Sequence, residues 1–396
     1  MKIIQFLITL MMVFFTVTVS AVDLFPGEDT IPILSWHCIM PDQISVEHYQ
    51  ELKDCGFNLS FPHTHSFKDA VNALDCAAAV GIRTLFMCGE LDKSPESIVP
   101  QVKNHPGLAG YHLLDEPNSA DIPALKERNK KIRALDEKHF TYLNLLPIGA
   151  TDSFMPYIQY INYCSKEVET EFISYDHYGI VNDTVRPTYY QNLEVFSAEA
   201  EKLKKPFWAF ALATAHGPYP VPNVAQLKFQ MYSNLAYGAQ GLQYFTYWNP
   251  GTETWNFHEA PILPDGKRSP VYDMIREVNA ELQKRNFVFM RSRVLWVRHT
   301  GTVLPAGTTR LTEVPFMAKE FDTHGDDAVV SLLQKGDTYY LVIVNASIHK
   351  TMNLTIDLKD GVKRIRKDGT IVDAAEYSKN MLLGPGECEV FSAKKF

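Results

Sequence analysis

Asp115 and Glu116 stand side by side at the end of the apolar run Gly110-Tyr111-His112-Leu113-Leu114, and Pro117 follows at once. Two carboxylates at the end of a buried strand are unfavourable unless they are solvated or used. The proline takes the chain out of any ladder at that point. Adjacent acids suit general acid–base chemistry. Cleavage of a glycosidic bond needs a protonated carboxylic acid at the leaving oxygen and a carboxylate that attacks or activates water. Glu116, one residue further out, is the natural acid, and Asp115 is expected to tune it or bind a hydroxyl.

These residues belong to a repeat. Apolar runs begin near Ile31, Phe57, Arg83, Leu108, Phe140, Glu171, Phe207 and Gly241, at the spacing of a βα unit. Amphipathic stretches lie between them: Val46 to Asp54, Phe67 to Val80, Ile122 to Glu137, Tyr189 to Lys204, Val224 to Tyr237 and Pro270 to Gln283. Nearly continuous apolar strands suit a parallel sheet buried on both faces. Eight such units with right-handed crossovers close into a (β/α)8 barrel, whose strand C-terminal ends carry the active site. After about Asn286 the pattern changes to Val-rich runs separated by Gly and Asp turns, which predicts a small antiparallel β-sandwich. The expected organisation is a leader over 1–21, a barrel over 22–285 and a β-sandwich over 286–396.

The strand tips, read together, concentrate polar and aromatic groups at one end. They are Trp36 and His37, His63 and His65, Glu90, Asp115 and Glu116, Asn144, then Asp176, His177 and Tyr178, His216, and finally Tyr247, Trp248 and Asn249. Singly, most have plainer explanations. A histidine near a strand end is usually hydrogen-bonded structure, Trp36 suits a core, and Glu90 suits a helix cap. Together they predict a pocket with convergent hydrogen-bonding groups and aromatic walls. Carbohydrate fits such a pocket. Trp36, Tyr247 and Trp248 would stack on sugar faces, and His37, Asn144, His177 and His216 would bind hydroxyls, with His63, Glu90 and Tyr178 also lining the pocket.

The composition narrows the partners. The chain has 396 residues, 46% of them hydrophobic and 12% aromatic, and a formal net charge of -8 with no long basic run. That argues against nucleic acid or an anionic membrane surface. Lys2, the apolar run from Ile3 to about Val17 and Val19-Ser20-Ala21 predict a cleaved signal peptide, an exported chain starting near Val22, and no stable membrane insertion. The six cysteines show no CxxC spacing, so buried thiols are expected. Sequons at Asn58, Asn182, Asn345 and Asn353 matter only in a glycosylating host. No GxSxG, Walker or GxGxxG motif is present, and no cofactor is implied. His63-Thr64-His65 with Asp176, His177 and His216 would suit a metal-dependent hydrolase, but Pro62 disturbs the strand that such a pair needs.

The Gly110 to Pro117 segment resembles clan A glycoside hydrolases, (β/α)8 enzymes with an acid/base Glu at the end of strand 4, usually after Asn. The Asp-Glu-Pro variant is similar to family 42-like secreted glycosidases. Pro264-Asp265-Gly266-Lys267, Tyr272 and Ile275 to Asn279 resemble the last loop and helix of such barrels. The resemblance implies a glycoside hydrolase with Glu116 as acid/base. It also implies a nucleophilic Glu at the end of strand 7, where this chain has Phe207 to His216 without a carboxylate. Asp176 is the favoured second carboxylate, as nucleophile or as base. Glu253 swinging in from the loop after strand 8, or a barrel that only binds sugar, are the alternatives. A separation from Glu116 of about 5 Å would indicate retention and about 6.5–9.5 Å inversion.

Overall fold

The computed structural model describes residues 29–251, 255–374 and 379–394. The expected leader lies outside these residues. Eight parallel strands close a barrel: β1 (Ile33–Trp36), β2 (Leu59–Phe61), β3 (Arg83–Phe86), β4 (Leu108–Asp115), β5 (Phe140–Leu145), β6 (Ile173–Tyr175), β7 (Phe207–Leu212) and β8 (Gly241–Phe245). β8 pairs back onto β1. Each of the eight apolar runs contains one strand.

The helices between them start where a side chain can cap the free N–H groups. Ser45, Ser66 and Ser269 cap Val46–Asp54, Phe67–Val80 and Pro270–Lys284, and Asn223 and Gln226 form a reciprocal capping box on Val224–Ala236. The helix expected to reach Glu137 ends at Leu135, because Asp136 turns the chain. Its carboxylate accepts the N–H groups of Lys138 and His139 and the Tyr111 hydroxyl. Helices Gly89–Lys93, Pro95–Val102 and Tyr157–Val168 fill further crossovers, and a small hairpin (Ile180–Val181 with Thr184–Val185) follows β6.

The barrel lumen is filled with rings. Trp36, Phe61, Tyr142, Phe172, Trp208 and Phe210 belong to one buried cluster, with Phe172 stacked on Trp208 at 4.3 Å between centroids. Gly241 of β8 lets this packing close: a Cβ there would lie 2.4 Å from the Trp208 ring. Gly241→Ala is therefore expected to destabilise the fold by about 1–3 kcal/mol through overpacking. An unchanged urea midpoint would contradict that.

Beyond the barrel, two antiparallel sheets face one another. One has six strands, in the order Arg293–His299, Ala328–Lys335, Thr338–Asn345, Cys388–Lys394, Lys363–Ile365, Ile371–Asp373. The other has three, Ala318–Asp322, Met352–Leu358 and Asn380–Leu383. Val330, Leu332, Leu341, Ile343 and Phe391 of the large sheet join Leu354 and Ile356 in the sandwich core. The alternate residues Val329, Leu333, Val342, Val344 and Val390 join the core of the barrel. The large sheet is thus buried on both faces, and its second face packs on helix Val224–Ala236.

Arg285 ties the two parts together. It is 0% exposed. Its guanidinium donates to the carbonyls of Cys388 (2.9 Å), Arg366 (3.1 Å) and Ile365 (3.3 Å). All six cysteines are free, buried thiols.

Candidate active site

The ladder between β4 and β5 decides where the acids point. His112 pairs with Tyr142, Leu114 with Leu143 and Asp115 with Asn144, so Leu113 is an extra residue, a β-bulge. Tyr142 faces the lumen. Strict alternation would send His112 and Asp115, three residues apart, to opposite faces. The bulge brings both to the inner face. The carbonyls of Leu113 and His112 are taken up by Arg128, which reaches over from helix Ile122–Leu135 and is itself paired with Asp92 at 2.6 Å. Arg128→Met is expected to lower kcat at least about tenfold, because a small misplacement of reacting groups is enough to slow catalysis. The parallel test is circular dichroism. Unchanged kinetics in a folded variant would refute the positioning role.

Glu116 has φ +48°, a left-handed conformation uncommon for a residue with a side chain. Its N–H donates to the Asn144 carbonyl at 2.9 Å. The turn brings its carboxyl into hydrogen-bonding contact with Asp176, beyond the end of β6. The Asn144 amide nitrogen donates to Asp115 at 3.1 Å and to Asp176 at 3.0 Å. Its orientation is fixed from below: Ser174 Oγ donates to Asn144 Oδ1 at 2.9 Å and accepts from Gln243 Nε2 at 2.8 Å. Two carboxyls thus share one amide, and the third meets them at Asp176.

The electrostatics follow from this crowding. Burial, then the charges of Glu116 and Asp115, hold Asp176 well above the usual carboxylate range. Asp115 is open to water at the mouth but ringed by protein elsewhere. That enclosure pushes it up to about 6, the Asn144 hydrogen bond opposes the shift, and the Glu116 charge adds to it.

On the opposite side of the mouth His37 and His63, both at positive φ, stack at 5.0 Å between centroids. Burial lowers both imidazoles. Tyr178 belongs to the lumen cluster, and the charges of Asp176, Asp115 and Glu116 all bear on its hydroxyl.

Several expected pocket residues lie elsewhere. His177 follows Asp176 on the pleat and so points outward. Its ring bonds to Thr188 Oγ1 at 3.0 Å and to Arg186 at 3.4 Å. Burial, then the Arg186 charge, pushes it down to about 3. The alternation of Phe172, Ser174 and Asp176 with Ile173 and Tyr175 would have shown this. Tyr247 packs against Phe57 at 5.4 Å in the layer outside the barrel, and Trp248 packs against His48 at 5.1 Å. Neither forms a stacking floor, because the strand ends at Phe245 and the chain turns away. Trp36 faces the lumen but is only 3% exposed, under Phe61, His63, His112 and Phe210. Glu90 accepts the Phe67 N–H at 3.1 Å and caps that helix. His216 is buried among Tyr219, Phe245 and Phe257, and its Nδ1 is bonded to the Thr214 carbonyl at 2.9 Å. Glu253 lies outside the described residues.

The HxH arrangement does not assemble. Thr64 donates to the Met87 carbonyl at 2.7 Å, His65 is exposed, and among the described residues no three His, Cys, Asp or Glu side chains are grouped to hold a metal ion.

His112 was not anticipated. It is buried in the floor of the mouth, stacked on Phe61 at 4.6 Å, and its Nε2 has no hydrogen-bond partner among the described residues. Burial, then the Arg128 charge, pushes it down to about 3. Tyr219, Phe245 and the 61%-exposed Trp255 are the accessible aromatic residues of the rim.

Residues 125–285 match the glycoside hydrolase family 42 model, described as beta-galactosidase. No curated protein sequence matches the chain. Among solved structures, a catalytic mutant of a family 42 β-galactosidase from G. stearothermophilus is similar, with 10% identity over 93% of this chain and 99% of that one and a TM-score of 0.62. A family 5 glycoside hydrolase from Bacteroides vulgatus shows 13% identity over 92% and 88%, with a TM-score of 0.58. A β-galactosidase from the psychrophilic Marinomonas ef1 shows 10% identity over 64% of this chain and a TM-score of 0.50. The chain spans 60% of that enzyme's length.

The closed parallel barrel and the family match support a glycoside hydrolase similar to the clan A, TIM-barrel enzymes. Within that class the matched segment, which is under half of the chain, is of the family 42 type.

Proposed function

We propose that this is an exported hydrolase of O-glycosidic bonds in an oligo- or polysaccharide, with Glu116 as proton donor to the leaving oxygen. The observation that carries the reading is that Asp115 and Asp176 share the Asn144 amide while Glu116 meets Asp176, at the C-terminal mouth of the barrel. The N-terminal leader sequence supports export.

Glu116 and Asp176 are closer than the carboxyl separation of either two-carboxylate mechanism, about 5 Å or more. They act as one acid unit sharing a proton. Asp176 is accordingly a positioning residue that keeps the pair protonated, and the nucleophile or base expected of it is reassigned. His37 and His63 are suited to sugar hydroxyls, whereas the Asn144 amide, expected to bind one, is already committed to Asp115, Asp176 and Ser174.

The test is a panel of plant, bacterial and animal glycans, with products read by mass spectrometry. Cleavage is expected on at least one. Asp176→Asn should lower kcat at least about tenfold on that substrate with KM little changed, since the amide cannot carry the shared proton. No cleavage across the panel rejects the activity. Full activity of Asp176→Asn rejects the pairing.

A further inference from the structure

Among the described residues the acids of the mouth stand on one side. β4, β5 and β6 bring Asp115, Glu116, Asn144 and Asp176, while the facing tips carry Leu212, Phe245, His37 and His63. The whole described stretch 207–224, β7 and its loop, contains no Asp or Glu. Glu116 and Asp176 touch, so they do not flank a sugar ring from opposite faces. Bond cleavage with an acid still needs an electron pair delivered to the anomeric carbon opposite the leaving group.

Asp115 has no role in that scheme as it stands. Asn144 is already oriented by Ser174, so Asp115 is not needed to hold it. Yet a bulge secured by Arg128 aims this carboxylate into the mouth beside the acid and leaves it open to water. A carboxylate so placed is an acceptor for a donor on the substrate, next to the bond that Glu116 protonates.

We propose that the substrate supplies the attacking group: the site takes 2-acetamido-2-deoxy glycosides, and Asp115 accepts the acetamido N–H. This rests on the glycoside hydrolase reading above. The acetamido carbonyl oxygen bonds to the anomeric carbon as the bond to the leaving oxygen breaks. Glu116 gives its proton to that oxygen, and Asp115 takes the N–H proton, leaving a neutral oxazoline. Water then adds at the anomeric carbon and gives a proton to Glu116. The ring opens, and the proton on Asp115 returns to nitrogen. One water is consumed and configuration is retained. Substrate assistance of this kind is an alternative to the carboxylate nucleophile, and an intramolecular attacking group gains a large effective concentration.

The experiment compares 4-nitrophenyl 2-acetamido-2-deoxy-β-D-glucoside and -galactoside with their 2-hydroxy counterparts, on wild type and on Asp115→Asn. The 2-acetamido substrates are expected to react at least about a hundredfold faster in kcat/KM. Asp115→Asn should remove most of that advantage, and trifluoroacetamido substrates, with a less nucleophilic carbonyl, should slow wild type steeply. Equal rates on the 2-hydroxy compounds, or an Asp115→Asn variant that keeps the advantage, overturn the proposal and leave the hydrolase reading standing. If neither series nor any glycan of the panel is cleaved, both fall together.

Discussion

Glu116→Gln lowers kcat by about 10²–10⁴-fold on a glycoside with an unactivated leaving group, the range for a general acid positioned in the transition state. The amide keeps the shape and much of the hydrogen bonding of the side chain, so KM is expected to stay near that of wild type and the loss to fall on the chemical step. Leaving-group dependence makes the assignment specific. A dinitrophenyl glycoside departs without protonation, so the variant should recover most of its rate there. A variant that merely disturbs the mouth would be slow on both substrates. Wild-type turnover of the unactivated glycoside by Glu116→Gln would remove the residue from the role.

Arg285→Met destabilises the chain by about 2–5 kcal/mol, because several buried carbonyls lose their donor at once and cannot reach water. Arg285 is fully buried at the end of helix Pro270–Lys284, and the carbonyls of Ile365, Arg366 and Cys388 depend on it. Methionine fills a similar volume, which separates the lost hydrogen bonds from a simple cavity. Arg285→Lys should fall between the two, since an ammonium keeps the charge but not the planar fork. The measurement is the urea midpoint of the whole chain. An unchanged midpoint for Arg285→Met would show that the junction does not depend on these bonds.

Much of the barrel was legible because its signals are local. Parallel strands covered on both faces read as apolar runs, and Ser45, Ser66 and Asn223 mark where the helices begin. Asp115 and Glu116 were legible for the same reason: a Pro after two acids ends a strand. What escaped depends on parity and on distant partners. Asp176 and His177 are neighbours in sequence, and the pleat separates them. Tyr247 and Trp248 looked like a floor, but the lumen-facing residue at that tip is Phe245. The bulge at Leu113 depends on Arg128, fifteen residues further on and on another element. The Glu116–Asp176 contact joins two strands more than fifty residues apart in sequence and follows from how β4 to β6 lie side by side.

Helix Val224–Ala236 carries a wider lesson. Residues 226 to 236 are all buried, between the barrel on one side and the six-stranded sheet on the other. The turn at Gly386 lies so close that a Cβ would sit 2.1 Å from the Ala225 carbonyl. A barrel cut away from its companion would present Phe229, Met231 and Leu235 to water. Recombination that exchanged the sheet for another would have to bring a matching face with it. The two parts therefore pack as one unit, and a relative that keeps this barrel with a different appendage should also have rewritten the outer surface of this one helix.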